Sequence, residues 1–335
     1  MKCLAIADLF ITKEMMIKGL KELTDLGVEV TVKEWLHKDL EALQKDNIKL
    51  EQEGSSAVAL PDDILEGIED YDIIITQFAP IGRDTLDKCK SIKVLGVLRA
   101  GIENVNYKYA ESKGIDVFNT PGRSNTSVSE FTVGLILSEI RNIARGHDYL
   151  KKGIWEKNYS AGVLSPEISG STVGIIGYGA IGQRVANLLR PFGANIIFFD
   201  DYFTGDTEDS QVDLDTLVKS ADIITMHYRL TEKTKHMLNK NHFEKMKKSA
   251  IVINSARSGL ISETDLISAL REKRIAGAAV DVFDIEPLPK DHPYLELDNI
   301  TITPHIAGST IGNFANSPNI LARRIIPALS EVKNY

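Results

Sequence analysis

The chain has 335 residues, 39 Lys and Arg against 47 Asp and Glu, and two cysteines. That length predicts about two domains, and a net charge of −8 argues against sequence-independent binding to nucleic acid. Cys3 and Cys89 are too few for a disulfide framework or a cysteine zinc cluster. No apolar run approaches the ~18 residues of a membrane span, and the first run meets Asp8 too early for a secretory leader, so a cytoplasmic chain is expected.

In chain order, short apolar runs occupy residues 3–7, 28–32, 73–76, 94–98 and 117–119. Met16, Leu20, Leu23 and Leu26 lie at helical spacing between the first two, and Gly27 stops that helix. Runs that alternate with helical patterns predict parallel strands with crossover helices. The charged stretch 39–53 reads as a solvated helix face or a loop. A long helix is expected from Ser127, where Ser127 and Glu130 have capping-box spacing, through Phe131, Leu135, Leu137 and Ile140 towards Gly153. Its length suggests a link between domains or a subunit interface. A second series of runs follows at 172–176, 195–199, 222–226, 250–253, 276–280 and 300–302. Helices are expected at 181–190 and 263–272, the latter capped by Ser262. Six strands with crossovers are what a full dinucleotide-binding fold requires.

The first strand of that second series runs into Gly177-Tyr178-Gly179-Ala180-Ile181-Gly182 and then a helix. With strand before and helix after, this G-x-G-x-x-G is the loop of a dinucleotide site. Gly177 permits the turn, Gly179 the approach of backbone to a pyrophosphate, and Gly182 the close packing of helix on strand. Asp200 ends the next strand, where an acid accepts from the adenosine ribose hydroxyls and repels a 2′-phosphate. Asp201 adds charge and no Arg follows until Arg229, so NAD is favoured over NADP.

Ligands in open α/β sheets bind beyond the carboxyl ends of the strands. After the fourth run of the second series comes Arg257, after the fifth come Asp281 and Glu286, and after the sixth His305. Arg257 offers a planar fork for a carboxylate. His305 can move a proton near neutral pH, and Glu286 on its other ring nitrogen would favour the imidazolium. A hydride-carrying cofactor, a proton donor and a carboxylate clamp together describe reduction of a 2-oxo acid. His227, after the third run, is cofactor-adjacent or a packing residue. His147, His236, His242 and His292 read as surface, His37 beside Trp35 has no evident partner, and no His or acid cluster suggests a metal site.

These residues resemble the D-isomer-specific 2-hydroxyacid dehydrogenases over nearly the whole chain. Asn254-Ser255-Ala256-Arg257-Ser258-Gly259 is similar to that family's Arg loop, the stretch from Asp281 through Glu286-Pro287 to Pro289 to its Glu motif, and Thr303-Pro304-His305-Ile306-Ala307-Gly308 to its His motif. The resemblance implies Arg257, Glu286 and His305 as the catalytic set. Ala256, through its carbonyl, and Asp281 would hold the nicotinamide carboxamide, and Gly308 would join the cofactor site. It implies an α/β protein in which a Rossmann NAD-binding domain, residues 120–304, is inserted in a smaller flavodoxin-like substrate domain made of 1–119 and 305–335. The cleft would lie between the domains, and the protein would be a homodimer joined through the helix after Ser127 and Trp155.

The loop Arg99-Ala100-Gly101-Ile102-Glu103-Asn104 is similar to the family's substrate loop, with Arg99 for the usual Gly and Glu103 for the usual Asp. It would meet the substrate carboxylate through its backbone, and Arg99 would either add a cation or pair with a surface acid. Gln77 and Phe78 would also line the substrate site. The 77–83 loop supplies one Arg, at Arg83, which leans away from phosphoglycerate as substrate without excluding it. The expected activity is NAD-dependent interconversion of a 2-oxo acid and an (R)-2-hydroxy acid. A phosphoglycerate dehydrogenase proper and a non-catalytic NAD-sensing protein are the alternatives, and formate oxidation is disfavoured because it usually pairs the His with Gln.

Overall fold

The structure is a computed structural model that describes residues 1–159 and 165–332, with side chains up to 329. It divides into two compact units, one of Met1–Ser124 with Thr310–Tyr335, the other Asn125–Ser309. Among the described residues no helix is long and apolar enough to cross a membrane.

The first unit carries a five-stranded parallel sheet of β1 (Lys2–Ala7), β2 (Glu29–Glu34), β3 (Ile73–Thr76), β4 (Val94–Val97) and β5 (Asp116–Asn119), in the order β2-β1-β3-β4-β5. This is the flavodoxin-like order, with β1 and β3 flanking the point where the winding reverses. Strands buried on both faces read as near-continuous apolar runs. One face packs Leu4, Ile6, Ile74 and Val97 under Leu43, Leu50 and Ile64. The other packs Ala5, Ile73, Ile75 and Val94 under Met16, Leu20, Leu321 and Ile325. The charged stretch is a helix, Leu40–Glu53, capped by Asp39, with Leu43 and Leu50 buried on its inner face.

The second unit holds β6 (Thr172–Ile176), β7 (Asn195–Phe199), β8 (Ser210–Gln211), β9 (Ile223–Met226), β10 (Ile251–Asn254), β11 (Gly277–Val280) and β12 (Ile300–Ile302), all parallel, in the order β12-β11-β10-β9-β6-β7-β8. This is the doubly wound dinucleotide-binding order with one further strand, and its winding reverses between β6 and β9. The two-residue β8 has too short an apolar signature to be read from sequence.

The boundaries fall later than 119/120 and 304/305. Arg123 donates to the Leu98 carbonyl at 2.6 Å and to Ser317 at 3.3 Å, which keeps residues 120–124 with the first unit. The backbone of Ile306 and Ala307 donates to Asp281, which keeps His305 with the second. The expected helix from Ser127 to Gly153 is two helices, Asn125–Ile140 and Ile143–Lys151. Asn142 breaks them apart in the left-handed conformation at φ 54°, which a short polar side chain tolerates. Ser127 lies inside the first turn instead of capping it. Ser262 does stand at the N-cap of Glu263–Arg271, but its side chain makes no capping bond. His292 is not a surface residue: it is mostly buried, with Nε2 3.1 Å from Glu263. His37 has a partner, Asp46 at 3.1 Å, and packs edge-on against Trp35.

Candidate active site

The glycine loop leaves β6 and turns at Gly177, φ 96°, a conformation that favours glycine. A Cβ there would lie 2.7 Å from the backbone of His227 and Tyr228. One on Gly182 would overlap the Gly177 carbonyl oxygen, whereas one on Gly179 would meet nothing within 4 Å. Gly179 is also the N-cap of the helix Ala180–Leu189, which has no side-chain cap and no acid in its first turn. An uncapped helix start behind a bare backbone is an anion cradle. Tyr178 does not face that opening. Its buried ring stacks on Phe198 at 3.8 Å, and its hydroxyl donates to Asp209, which Arg190 also holds at 2.7 and 3.0 Å.

Asp200 ends β7 as expected. Its Oδ2 accepts from Tyr178 N at 2.7 Å and its Oδ1 from Tyr202 N at 2.8 Å, so the carboxylate is anchored while each oxygen keeps a free lone pair. Asp201 N donates to the Tyr228 hydroxyl at 2.8 Å. His227 bonds Thr225 Oγ1 through Nε2 at 3.0 Å, and its Nδ1 is buried with no partner. Burial pushes its pKa down to about 3. The open space over Gly179, the uncapped helix start, the anchored Asp200 and the orphaned His227 nitrogen fit a dinucleotide.

Two substitutions separate the glycines. Gly179→Ala leaves the apo melting temperature unchanged but raises the NADH dissociation constant by at least about tenfold, or ~1.4 kcal/mol. Gly182→Ala lowers stability itself by about 1–3 kcal/mol, because the added methyl overlaps backbone. Thermal melts with and without NADH distinguish the two.

The other expected residues follow β10, β11 and β12, which are neighbours in the sheet. Asn254 shapes the Arg loop: its Nδ2 donates to the Arg257 carbonyl at 2.9 Å and its Oδ1 accepts from Ala256 N at 3.1 Å. Arg257 is exposed, and its Nη1 donates to the Ala256 carbonyl at 2.7 Å. That carbonyl, expected to meet a carboxamide, therefore already holds the guanidinium.

His305 Nδ1 lies 2.7 Å from Glu286 Oε2, and the other carboxylate oxygen accepts from Phe283 N at 3.0 Å. Glu286 is thus fixed by backbone, and His305 presents Nε2 outward, with about half the side chain exposed. Asp281 is wholly buried. Its Oδ1 accepts from Thr303 Oγ1 at 2.6 Å and Ile306 N at 3.0 Å, and its Oδ2 from Ala307 N at 2.8 Å. By these bonds Asp281 clamps the turn that holds His305 at φ 53°. Asn254 and Thr303 were not singled out in the sequence. The signal was an Asn at a strand end before a tight loop, the setting of an Asx turn.

In the first unit Arg99 is not a free cation. It pairs with Glu51 and, at 3.4 Å, with Glu103, donates to Asn47 at 2.7 Å, and lies over the Phe78 ring. The Glu103 carboxylate folds back against Gly101, and Ala100 is exposed. Gln77 is wholly buried and Phe78 half-buried.

The family model described as "D-isomer specific 2-hydroxyacid dehydrogenase, NAD binding domain" matches residues 133–307, a span that contains the glycine loop, Arg257, Glu286 and His305. A D-3-phosphoglycerate dehydrogenase of Methanocaldococcus jannaschii is 41% identical over 278 residues, 80% of this chain and 52% of that one. The chain therefore spans about half the length of that relative. A glyoxylate reductase of Thermofilum pendens is 36% identical over 275 residues, 80% of this chain and 81% of that one. Among solved structures, a D-2-hydroxyisocaproate dehydrogenase superposes with a TM-score of 0.79 at 26% identity, covering 99% of this chain and 97% of that one.

Proposed function

Because this chain belongs to the D-isomer-specific 2-hydroxyacid dehydrogenase family of oxidoreductases and carries its NAD-binding domain, we propose that it interconverts a 2-oxo acid and an (R)-2-hydroxy acid. The observation that carries this reading is the His305–Glu286 pair at 2.7 Å, set on the same sheet edge as the glycine loop and the exposed Arg257. Bound NAD supplies or takes up the hydride. His305 gives its Nε2 proton to the substrate oxygen in reduction and takes it back in oxidation. Glu286, bonded to Nδ1, fixes the tautomer and orientation of the ring. Arg257 holds the substrate carboxylate through its fork and leaves the Ala256 carbonyl as substrate arrives. Asp200 and Asp201 favour NAD over its 2′-phosphorylated form. The homodimer belongs to the same reading, and exposed Ile143, Leu150, Ile154 and Trp155 support it.

The test is NADH oxidation by purified protein across a panel of 2-oxo acids at neutral pH, repeated with NADPH. Turnover with NADH is expected. Protein that binds NADH yet turns over no acid overturns the reading and leaves the NAD-sensing alternative.

A second expectation concerns pH. His227, neutral when folded with a pKa of about 3, titrates near 6.5 when unfolded. Below pH 6.5 the unfolded chain therefore binds the extra proton, and stability falls as pH drops towards 3. Between pH 6.5 and 5 the loss is about 2 kcal/mol. Asp8, whose carboxyl burial pushes up to about 6, acts in the opposite sense between pH 6 and 4. The check is the difference in urea midpoints between wild type and His227→Gln at pH 7 and pH 5; an equal pH dependence in both refutes it.

A further inference from the structure

Tyr228 follows β9, which ends at Met226. In the seven-stranded sheet β9, β6 and β7 are neighbours in that order, and the glycine loop leaves the strand in the middle. The Tyr228 backbone lies against that loop, where a Cβ on Gly177 would come within 2.7 Å of its nitrogen. Its side chain reaches past β6 to the chain beyond β7: the hydroxyl accepts from Asp201 N at 2.8 Å, and the ring lies 6.2 Å from that of Phe199. The ring is half-buried, while the bond to Asp201 lies at the surface, within reach of a ligand. Tyr228, Asp200, Asp201 and the glycine loop all belong to the second unit.

A phenol therefore stands beside the acid that ends β7, where a dinucleotide fold meets the adenosine ribose. Burial, with the Asp200 and Asp201 carboxylates close by, pushes the Tyr228 pKa up to about 12, so the phenol keeps its proton. Its oxygen has accepted from Asp201 N, and among the described residues nothing accepts that proton. A ribose hydroxyl both donates and accepts. Asp200 keeps a lone pair on each oxygen to take the hydroxyl's proton, and Tyr228 holds the proton that the hydroxyl oxygen can accept. A 2′-phosphate reverses the match. It sets about two negative charges against Asp200 and Asp201, and it seeks backbone N–H groups. The first two beyond Asp200 are taken: Asp201 N by Tyr228, and Tyr202 N by Asp200 Oδ1 at 2.8 Å.

Building on the preference for NAD stated above, we propose that Tyr228 is a second determinant of cofactor choice beside Asp200: its hydroxyl donates to the 2′-hydroxyl of the adenosine ribose and withholds the Asp201 N–H from a 2′-phosphate. The test measures dissociation constants of NADH and NADPH by fluorescence titration for wild type and Tyr228→Phe, with apo melting curves to confirm that both fold. Wild type should bind NADH at least about tenfold more tightly than NADPH. Tyr228→Phe keeps the ring, loses the donor and frees the Asp201 N–H. NADH should then bind about three- to tenfold more weakly, the worth of one neutral hydrogen bond, and NADPH no more weakly than before. The ratio of the NADPH constant to the NADH constant should therefore fall about threefold or more. A residue that only held the loop in place would weaken both cofactors alike. An unchanged or larger ratio in a wild type that prefers NADH overturns the proposal and leaves the NAD preference standing. If Tyr228→Phe does not fold, Tyr228→Leu, which also lacks the hydroxyl, is judged by the same ratio. Wild type that binds NADPH as tightly as NADH, as it would if the exposed Arg229 held the 2′-phosphate, overturns that preference and the proposal with it.

Discussion

Replacing His305 with Ala lowers kcat about 10²–10⁴-fold, the range of a lost general acid, and leaves the NADH dissociation constant within about twofold. The split follows from geometry. His305 meets Glu286 through Nδ1 at 2.7 Å and leaves Nε2 exposed, while the glycine loop and Asp200 that favour the dinucleotide lie on β6 and β7, with β9 to β11 between them and β12. The measurement pairs steady-state turnover with NADH fluorescence titration. An active His305→Ala enzyme sinks the assignment of the proton. Glu286→Gln is the milder companion: it keeps the shape and the bond to Phe283 N but replaces the carboxylate that accepts from His305 Nδ1.

Arg257→Ala costs about 10²–10³ in kcat/KM for the acid, or ~3–4 kcal/mol, the loss of a charge-assisted clamp. Because the side chain is exposed in the free protein, its removal leaves the fold intact, and melting temperature and NADH affinity should both hold. Arg257→Lys restores charge but not the planar fork, so it recovers only part of the loss. Unchanged substrate kinetics in Arg257→Ala would remove it from the site.

Much of this was readable from residues alone because strand ends and functional groups coincide in a parallel sheet. The apolar runs marked the strands to within a residue or two, and what followed each run fell on the carboxyl edge. Roles set by side-chain bonding were not readable. Asp281 looks like a ligand residue in sequence, and its bonds to Thr303, Ile306 and Ala307, which clamp the His305 turn, are marked by no local pattern. Sequence leaves Arg99 open between a spare cation and a paired one; it is held by Glu51 and Asn47 from a helix about fifty residues earlier, a pairing that no local pattern encodes. The break at Asn142 escaped because periodicity continues through it, and only its backbone angle ends the first helix.

The first unit is assembled from both ends of the chain, and its last helix, Ile311–Val332, lays Leu321, Ala322 and Ile325 on one face of the five-stranded sheet. Gly96 is shaped for that cover: a Cβ there would come within 2.7 Å of Leu321. During synthesis the ribosome must deliver all of Asn125–Ser309 before the cover exists, an interval of about 10–40 s at ordinary elongation rates. Through that interval the nascent amino-terminal segment leaves the β4 and β5 side of that face, around Val94 and Gly96, without its cover, a natural client surface for a chaperone. A release-point assay on stalled nascent chains should find the amino-terminal segment protease-sensitive until Leu329 has left the exit tunnel, while Asn125–Ser309 gains protection earlier.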